Sequence, residues 1–246
     1  MQSYTRRQMK EDRFAETAQG AMQWARGHQQ SSLWTILAAV VVIGLGTGFY
    51  FWNLSQTEKA NMEMSKAMRT FNARLRAPDV PAADDVSFTS MAERGKAAEK
   101  EFRAIADKYW LTKPGKMAKY LAAVSLLQAG DPTAEQQLKS IADSGNSDTS
   151  GLARMALASF YRSTKREGEA AKIYSDLTAH PTSSVPKAQA QLAMAEMYET
   201  SDPKQAEKIY QDVQKENKDN SVGQLAQSKL APKGGAPQMQ LQVPQE

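Results

Sequence analysis

The sequence has no cysteine, and that absence removes disulfides, thiolate nucleophiles and thiolate metal sites together. It fits an oxidising or a reducing compartment equally well, so compartment has to be read from topology. Histidine is nearly missing too. Only His28 and His180 occur, which leaves no His-based metal site and no histidine base with a positioned partner. His180 precedes Pro181 and reads as a residue facing solvent or the last carbonyls of a helix. No Walker loop, dinucleotide fingerprint or H-E-x-x-H motif is present, and the pair Asp84 and Asp85 sits in a proline-containing loop as solvated charge. Catalysis, a cofactor, a bound metal and a small-molecule substrate are therefore not expected. A large excess of one charge is also lacking: 31 Lys and Arg face 27 Asp and Glu, a net +4. Residues 1–32 carry five basic against three acidic side chains, and the rest is close to neutral. Without an arginine-rich stripe interleaved with aromatics, nucleic acid is not an expected partner.

What is present first is an apolar run. Leu33 to Trp52 is 20 residues without a charge, and at about 1.5 Å per residue such a helix crosses the ~30 Å hydrocarbon core. Trp34 at one end, and Tyr50 with Trp52 at the other, are the amphipathic rings favoured at headgroup level. A cleaved signal sequence would have a shorter apolar core and a small-residue cleavage site; here a 32-residue tail precedes the run. A membrane span is the expectation. Five Lys and Arg precede it, against Lys59, Lys66 and Arg69 soon after, a bias that places the N-terminus in the cytoplasm and the body across a bacterial inner membrane, in the periplasm. Gly44 and Gly48 stand four apart on one helical face where a second membrane helix would pack. Met9, Phe14, Ala18, Ala21, Met22 and Ala25 suggest a weakly amphipathic helix in the tail.

Beyond the run the sequence repeats with a period of 36. Ala98, Ala134, Ala170 and Ala206 form one column; Phe102, Leu138, Tyr174 and Tyr210 a second; Ile105, Ile141, Leu177 and Val213 a third. Within each unit the spacing i, i+4, i+7 puts the three on one helical face. Earlier helices carry Ala122, Ala123 and Leu126; Leu157, Ala158 and Tyr161; Met194, Ala195 and Tyr198. Gly130-Asp131-Pro132, Lys165 to Gly168, and Ser201-Asp202-Pro203 supply the turns between helices. Each unit is thus expected to be a helical hairpin. The first is irregular, its first helix running from about Gln56 to Arg76 through Met64, Ala67, Met68 and Phe71, followed by a loop with Pro78 and Pro81. Ser221 to Leu230 reads as a capping helix with Leu225 and Leu230 against the last hairpin. The Pro-, Gly- and Gln-rich end reads as disordered.

These residues resemble the tetratricopeptide repeat, most fully in Leu157-Ala158, Tyr161, Ala170, Tyr174, Leu177 and Pro181. The resemblance implies an all-α fold: one transmembrane helix followed by a right-handed superhelical stack of about four hairpins. The expected layout is a cytoplasmic, partly helical tail over 1–32, the span over 33–52, the repeat domain with its capping helix over 53–230 and a disordered tail over 231–246. This layout is similar to the YfgM-like ancillary subunits of the Sec translocon, inner-membrane proteins with a periplasmic repeat domain that associate with periplasmic chaperones. That similarity implies a membrane-held adaptor whose partners are proteins or unfolded polypeptide segments. A scaffold for cell division or outer-membrane assembly, and a cytoplasm-facing regulatory module, are the alternatives.

Tetratricopeptide stacks bind partners along their first helices, so the candidate groove comprises Tyr120, Val124 and Leu127, then Leu152, Met155, Ser159 and Arg162, then Leu192, Glu196 and Glu199. Tyr120, Met155 and Leu192 stand where a carboxylate clamp would need basic or amide side chains. An extended or helical apolar segment suits such a surface. The other reading of Tyr120, Val124 and Leu127 is that the irregular first hairpin covers them.

Overall fold

The structure is a computed structural model that describes residues 29–79, 86–145 and 147–231. The tail helix, Pro81, the Asp84 and Asp85 pair and residues 232–246 lie outside the described residues. Nine α-helices and one pair of two-residue strands are present among those described. The chain divides into two units at Gln56 and Thr57.

Helix α1 runs Gln29–Phe71. The apolar run predicts one element over 33–52 and the hairpin pattern a second over about 56–76. Instead one helix is continuous through Phe51 to Gln56, a stretch with neither proline nor glycine to break it. It stops at Phe71, where the Asn72 N–H still reaches Met68 O before the chain turns into a strand. In the N-terminal unit the helix is long and apolar enough to cross a membrane, and none of its apolar window is buried. Trp34, Val42, Leu45 and Phe51 are each about two-thirds exposed. Water would be a costly solvent for so large an apolar surface.

The C-terminal unit is built of hairpins. Strands β1 (Arg74–Leu75) and β2 (Ser87–Phe88) pair in parallel, Arg74 opposite Ser87, and the Arg94 guanidinium fastens the bend by donating to Ala73 O at 2.9 Å. Helices α2 (Met91–Lys108), α3 (Lys113–Ala129), α4 (Ala134–Ala142), α5 (Ser147–Ser163), α6 (Glu167–Ala179), α7 (Lys187–Ser201), α8 (Pro203–Glu216) and α9 (Ser221–Leu230) follow. The end of α1 pairs with α2, α3 with α4, α5 with α6 and α7 with α8. All twelve residues of the three sequence columns are buried, none more than 3% exposed. Each large one contributes about 1.5–3 kcal/mol by leaving water, while the alanine column lets the helices approach. In the first hairpin Ala60 and Ala67 bury against Ala98 and Phe102, and Phe71 meets Phe102 edge-on at 5.9 Å.

Local signals set the helix ends. Ser90 caps α2 by accepting from the Glu93 N–H, and Glu93 reaches back to Thr89. Thr112 caps α3, whose other end closes on Gly130 in the left-handed region, φ 69°. Asp202 caps α8 and Pro203 takes its first position. The turn expected over Lys165 to Gly168 is tighter, because Lys165 itself takes φ 64° and lets the Arg166 N–H bond Tyr161 O at 2.7 Å. Glu167 and Gly168 therefore already belong to α6. In α9 the expectation for Leu225 fails: it is 46% exposed. The buried face is instead Val222, Ala226 and Leu230, four residues apart, and Leu225 lies off that line.

Candidate functional site

The groove residues fall into groups that follow the cores beneath them. Tyr120, Val124 and Leu127 of α3 and Met155 of α5 are half-buried against one cluster, built on Leu138, Leu157, Tyr161 and Tyr174. Burial raises the Tyr120 phenol above its ordinary pKa. These side chains pack on the second and third hairpins, whereas α3 meets the first hairpin through Ala118, Leu121 and Ala122. Leu152 rests on a different cluster, with Leu177 and Val185, and Leu192 on the last one, with Ala195 and Tyr210. Arg162 is exposed and faces Glu196 at 3.8 Å. The charged end expected from Glu196 and Glu199 is already occupied by the chain itself: Lys229 of α9 lies 3.8 and 3.1 Å from them, and the Tyr210 hydroxyl donates to Glu199 at 2.7 Å. The first-helix faces are thus half mortar between helices and half open surface. Around Gly44 and Gly48 nothing lies within 4 Å of where a side chain would begin.

One polar cluster was not anticipated. Glu135 of α4 accepts from both Arg166 Nη atoms at 2.8 and 3.2 Å, from the Tyr161 hydroxyl at 2.9 Å and from Lys139 at 2.7 Å. The guanidinium also lies 4.0 Å above the Tyr161 ring and holds Glu169 through its second edge. Arg166, then Lys139, draw the Glu135 carboxyl down to about 2. Arg166 is raised in turn, by Glu169 and then Glu135. The cluster ties the second hairpin to the third, and no spacing rule pairs Glu135 with a residue 31 positions on.

A second feature was missed as well. Trp110, in the turn between α2 and α3, is 66% exposed and edges a cleft of about 310 Å³ with Lys116 and Lys119. The available signal was a tryptophan standing apart from the other three, which all lie at or before residue 52. Among the described residues no three His, Asp or Glu side chains converge as metal ligands. His180 is exposed, with Nδ1 3.1 Å from Asp176 of its own helix end.

No curated protein and no solved structure matches the chain. The family model of the tetratricopeptide repeat-like domain matches residues 22–176, more than half of the 246 residues. The matched segment takes in the apolar helix and reaches into α6. Domains of this kind are typically non-enzymatic protein-interaction modules. The chain belongs to the tetratricopeptide repeat-like domain family.

Proposed function

We propose that this protein is a membrane-anchored adaptor of the bacterial envelope, its tail cytoplasmic and its repeat domain periplasmic. In this reading it helps link the Sec translocon to periplasmic chaperones or to client polypeptides. The observation that carries it is the combination of an apolar helical segment, none of whose spanning window is buried, with a repeat domain of the protein-binding kind in one chain. The excess of Lys and Arg before the apolar run supports the orientation, and the likeness of layout to the YfgM-like subunits supports the assignment to the translocon. Clients contact Tyr120, Val124, Leu127, Leu152, Met155 and Leu192, with Arg162 at the rim, and a translocon helix packs on Gly44 and Gly48.

Enzyme fusions to the two ends, combined with co-purification in mild detergent, test the proposal. Alkaline phosphatase active only at the C-terminus and recovery of translocon subunits are the expected results. Activity only at the N-terminus would overturn the orientation, and a processed N-terminus would make the apolar run a signal sequence. Recovery of division or outer-membrane assembly proteins without translocon subunits would replace the adaptor with a scaffold.

A further inference from the structure

The hairpins treat the basic residues of their first helices unequally. In the third, Arg154 of α5 is held by Asp176 of α6 at 2.9 Å; in the fourth, Lys187 of α7 is held by Glu216 of α8 at 2.8 Å. In the second, Lys113, Lys116 and Lys119 of α3 are all exposed, and α4 offers them no carboxylate. Its one acid, Glu135, is taken by Arg166, Tyr161 and Lys139. Two of these lysines stand in the first four positions of α3, where no acidic residue accompanies them and where the helix dipole disfavours a cation.

Beside them the turn after α2 exposes Trp110 at 66% and Leu111 at 38%. Trp110, Lys116 and Lys119 bound the cleft of about 310 Å³, with buried Ala106 and Ile141 in its lining. An adjoining cleft of about 330 Å³ shares Lys116 and Thr149 and adds Lys113, Met117 and Ser183. Among the described residues Asp148 is the one carboxylate lining either cleft, and its Oδ1 is engaged by the Ser183 hydroxyl at 2.6 Å. The surface is therefore concave, apolar at its base, aromatic at one edge and positive along a wall.

We propose that this cleft binds an acidic polypeptide segment that carries an aromatic or large aliphatic side chain. Charge complementarity selects the acidic groups and steers the encounter. The apolar side chain enters between Trp110 and Ile141, where an indole supplies contact area at small entropic cost. A recessed base fits an inserted side chain better than a flat bilayer surface. The proposal rests on the protein-binding reading only in that the partner is a polypeptide, and the residues of α3 and α5 that line this cleft are not those of the groove set Tyr120, Val124, Leu127 and Met155. Crosslinking of clients at Tyr120 can fail while this cleft binds, and the reverse, so the two stand or fall separately.

The full-length chain in detergent micelles, with Trp24→Phe, Trp34→Phe and Trp52→Phe, keeps Trp110 as its only tryptophan. Its fluorescence is titrated with a short synthetic peptide alternating glutamate with phenylalanine. A saturable blue shift is expected, weakened by added salt and at least about tenfold by Lys116→Glu with Lys119→Glu. Lys116→Gln with Lys119→Gln, a milder pair, gives a smaller loss in the same direction, and circular dichroism checks that both keep the fold. The absence of a saturable shift, or equal binding of the glutamine counterpart of the peptide, overturns the proposal. So does a shift produced by phosphatidylglycerol vesicles and not by the peptide, which would make the surface a lipid contact.

Discussion

Replacing Glu135 with glutamine probes the polar cluster that joins the second hairpin to the third. Its carboxyl is drawn from an ordinary value of 4.5 to about 2, and in a dry site that difference would correspond to about 3.4 kcal/mol of stability. The side chain is still 23% exposed, and solvent screening reduces the figure to about 1–1.5 kcal/mol. Because the folded-state value is depressed, the contribution is fully present above the unfolded pKa near 4.5 and is lost as pH falls through about 2. Thermal melts by circular dichroism, in detergent from about pH 7 down to about pH 2, should place Glu135→Gln about 2–4 °C below the native protein at neutral pH. The gap should close at the acid end. Because a repeat stack is stabilised neighbour by neighbour, faster amide exchange in the variant should concentrate in α4 and α6. A gap that persists unchanged at low pH would show that the amide disturbs packing rather than charge. No gap at neutral pH would show that screening leaves the cluster without net effect.

Two further substitutions test the packing. A side chain at Gly95 would begin 2.6 Å from Ser125 O and 2.8 Å from the Ala129 nitrogen, backbone that cannot step aside, so Gly95→Ala should cost about 1–3 kcal/mol in denaturant unfolding; Gly168→Ala, with nothing within 4 Å, should gain up to about 1 kcal/mol. The Tyr174 hydroxyl is fully buried and makes no hydrogen bond among the described residues. Tyr174→Phe should therefore be neutral or stabilising, while Tyr161→Phe, which removes a bond to Glu135, should lose about 1 kcal/mol.

The buried half of the fold was legible because burial in a repeat stack is itself periodic. Every hairpin must present the same face to its neighbour, so Phe102, Leu138, Tyr174 and Tyr210 recur in step and all end below 4% exposure. The junctions were less legible. That α1 runs unbroken to Phe71 follows from missing breakers, which leave no positive mark in a sequence. The parallel pairing of Arg74 with Ser87 joins residues well separated in sequence, and two-residue strands are too short to show an alternation. Leu225 misled because apolarity alone does not say which side of a ten-residue helix meets its neighbour; the small residues Gly223 and Ala226, which let α9 approach, mark that side.

Surfaces that recognise partners are harder to read for a related reason. A period selects the residues that every unit buries, whereas a partner contacts residues that one unit has and the others lack. Trp110 has Asn146, Thr182 and Lys218 at one, two and three periods further on, none of them aromatic. Lys116 and Lys119 go unanswered by α4, while Arg154 and Lys187 in later hairpins are paired with their own second helices. An exposed indole contributes nothing to stacking, and cations at a helix N-terminus weaken that helix, so neither feature follows from the requirements of the fold. Departures from a repeat that lower its stability are where selection for something other than stability becomes visible. By that criterion the turn at Trp110 and the start of α3 are a stronger place to look for a partner than the half-covered faces of Tyr120 and Leu127, whose burial against the second and third hairpins already accounts for their apolarity.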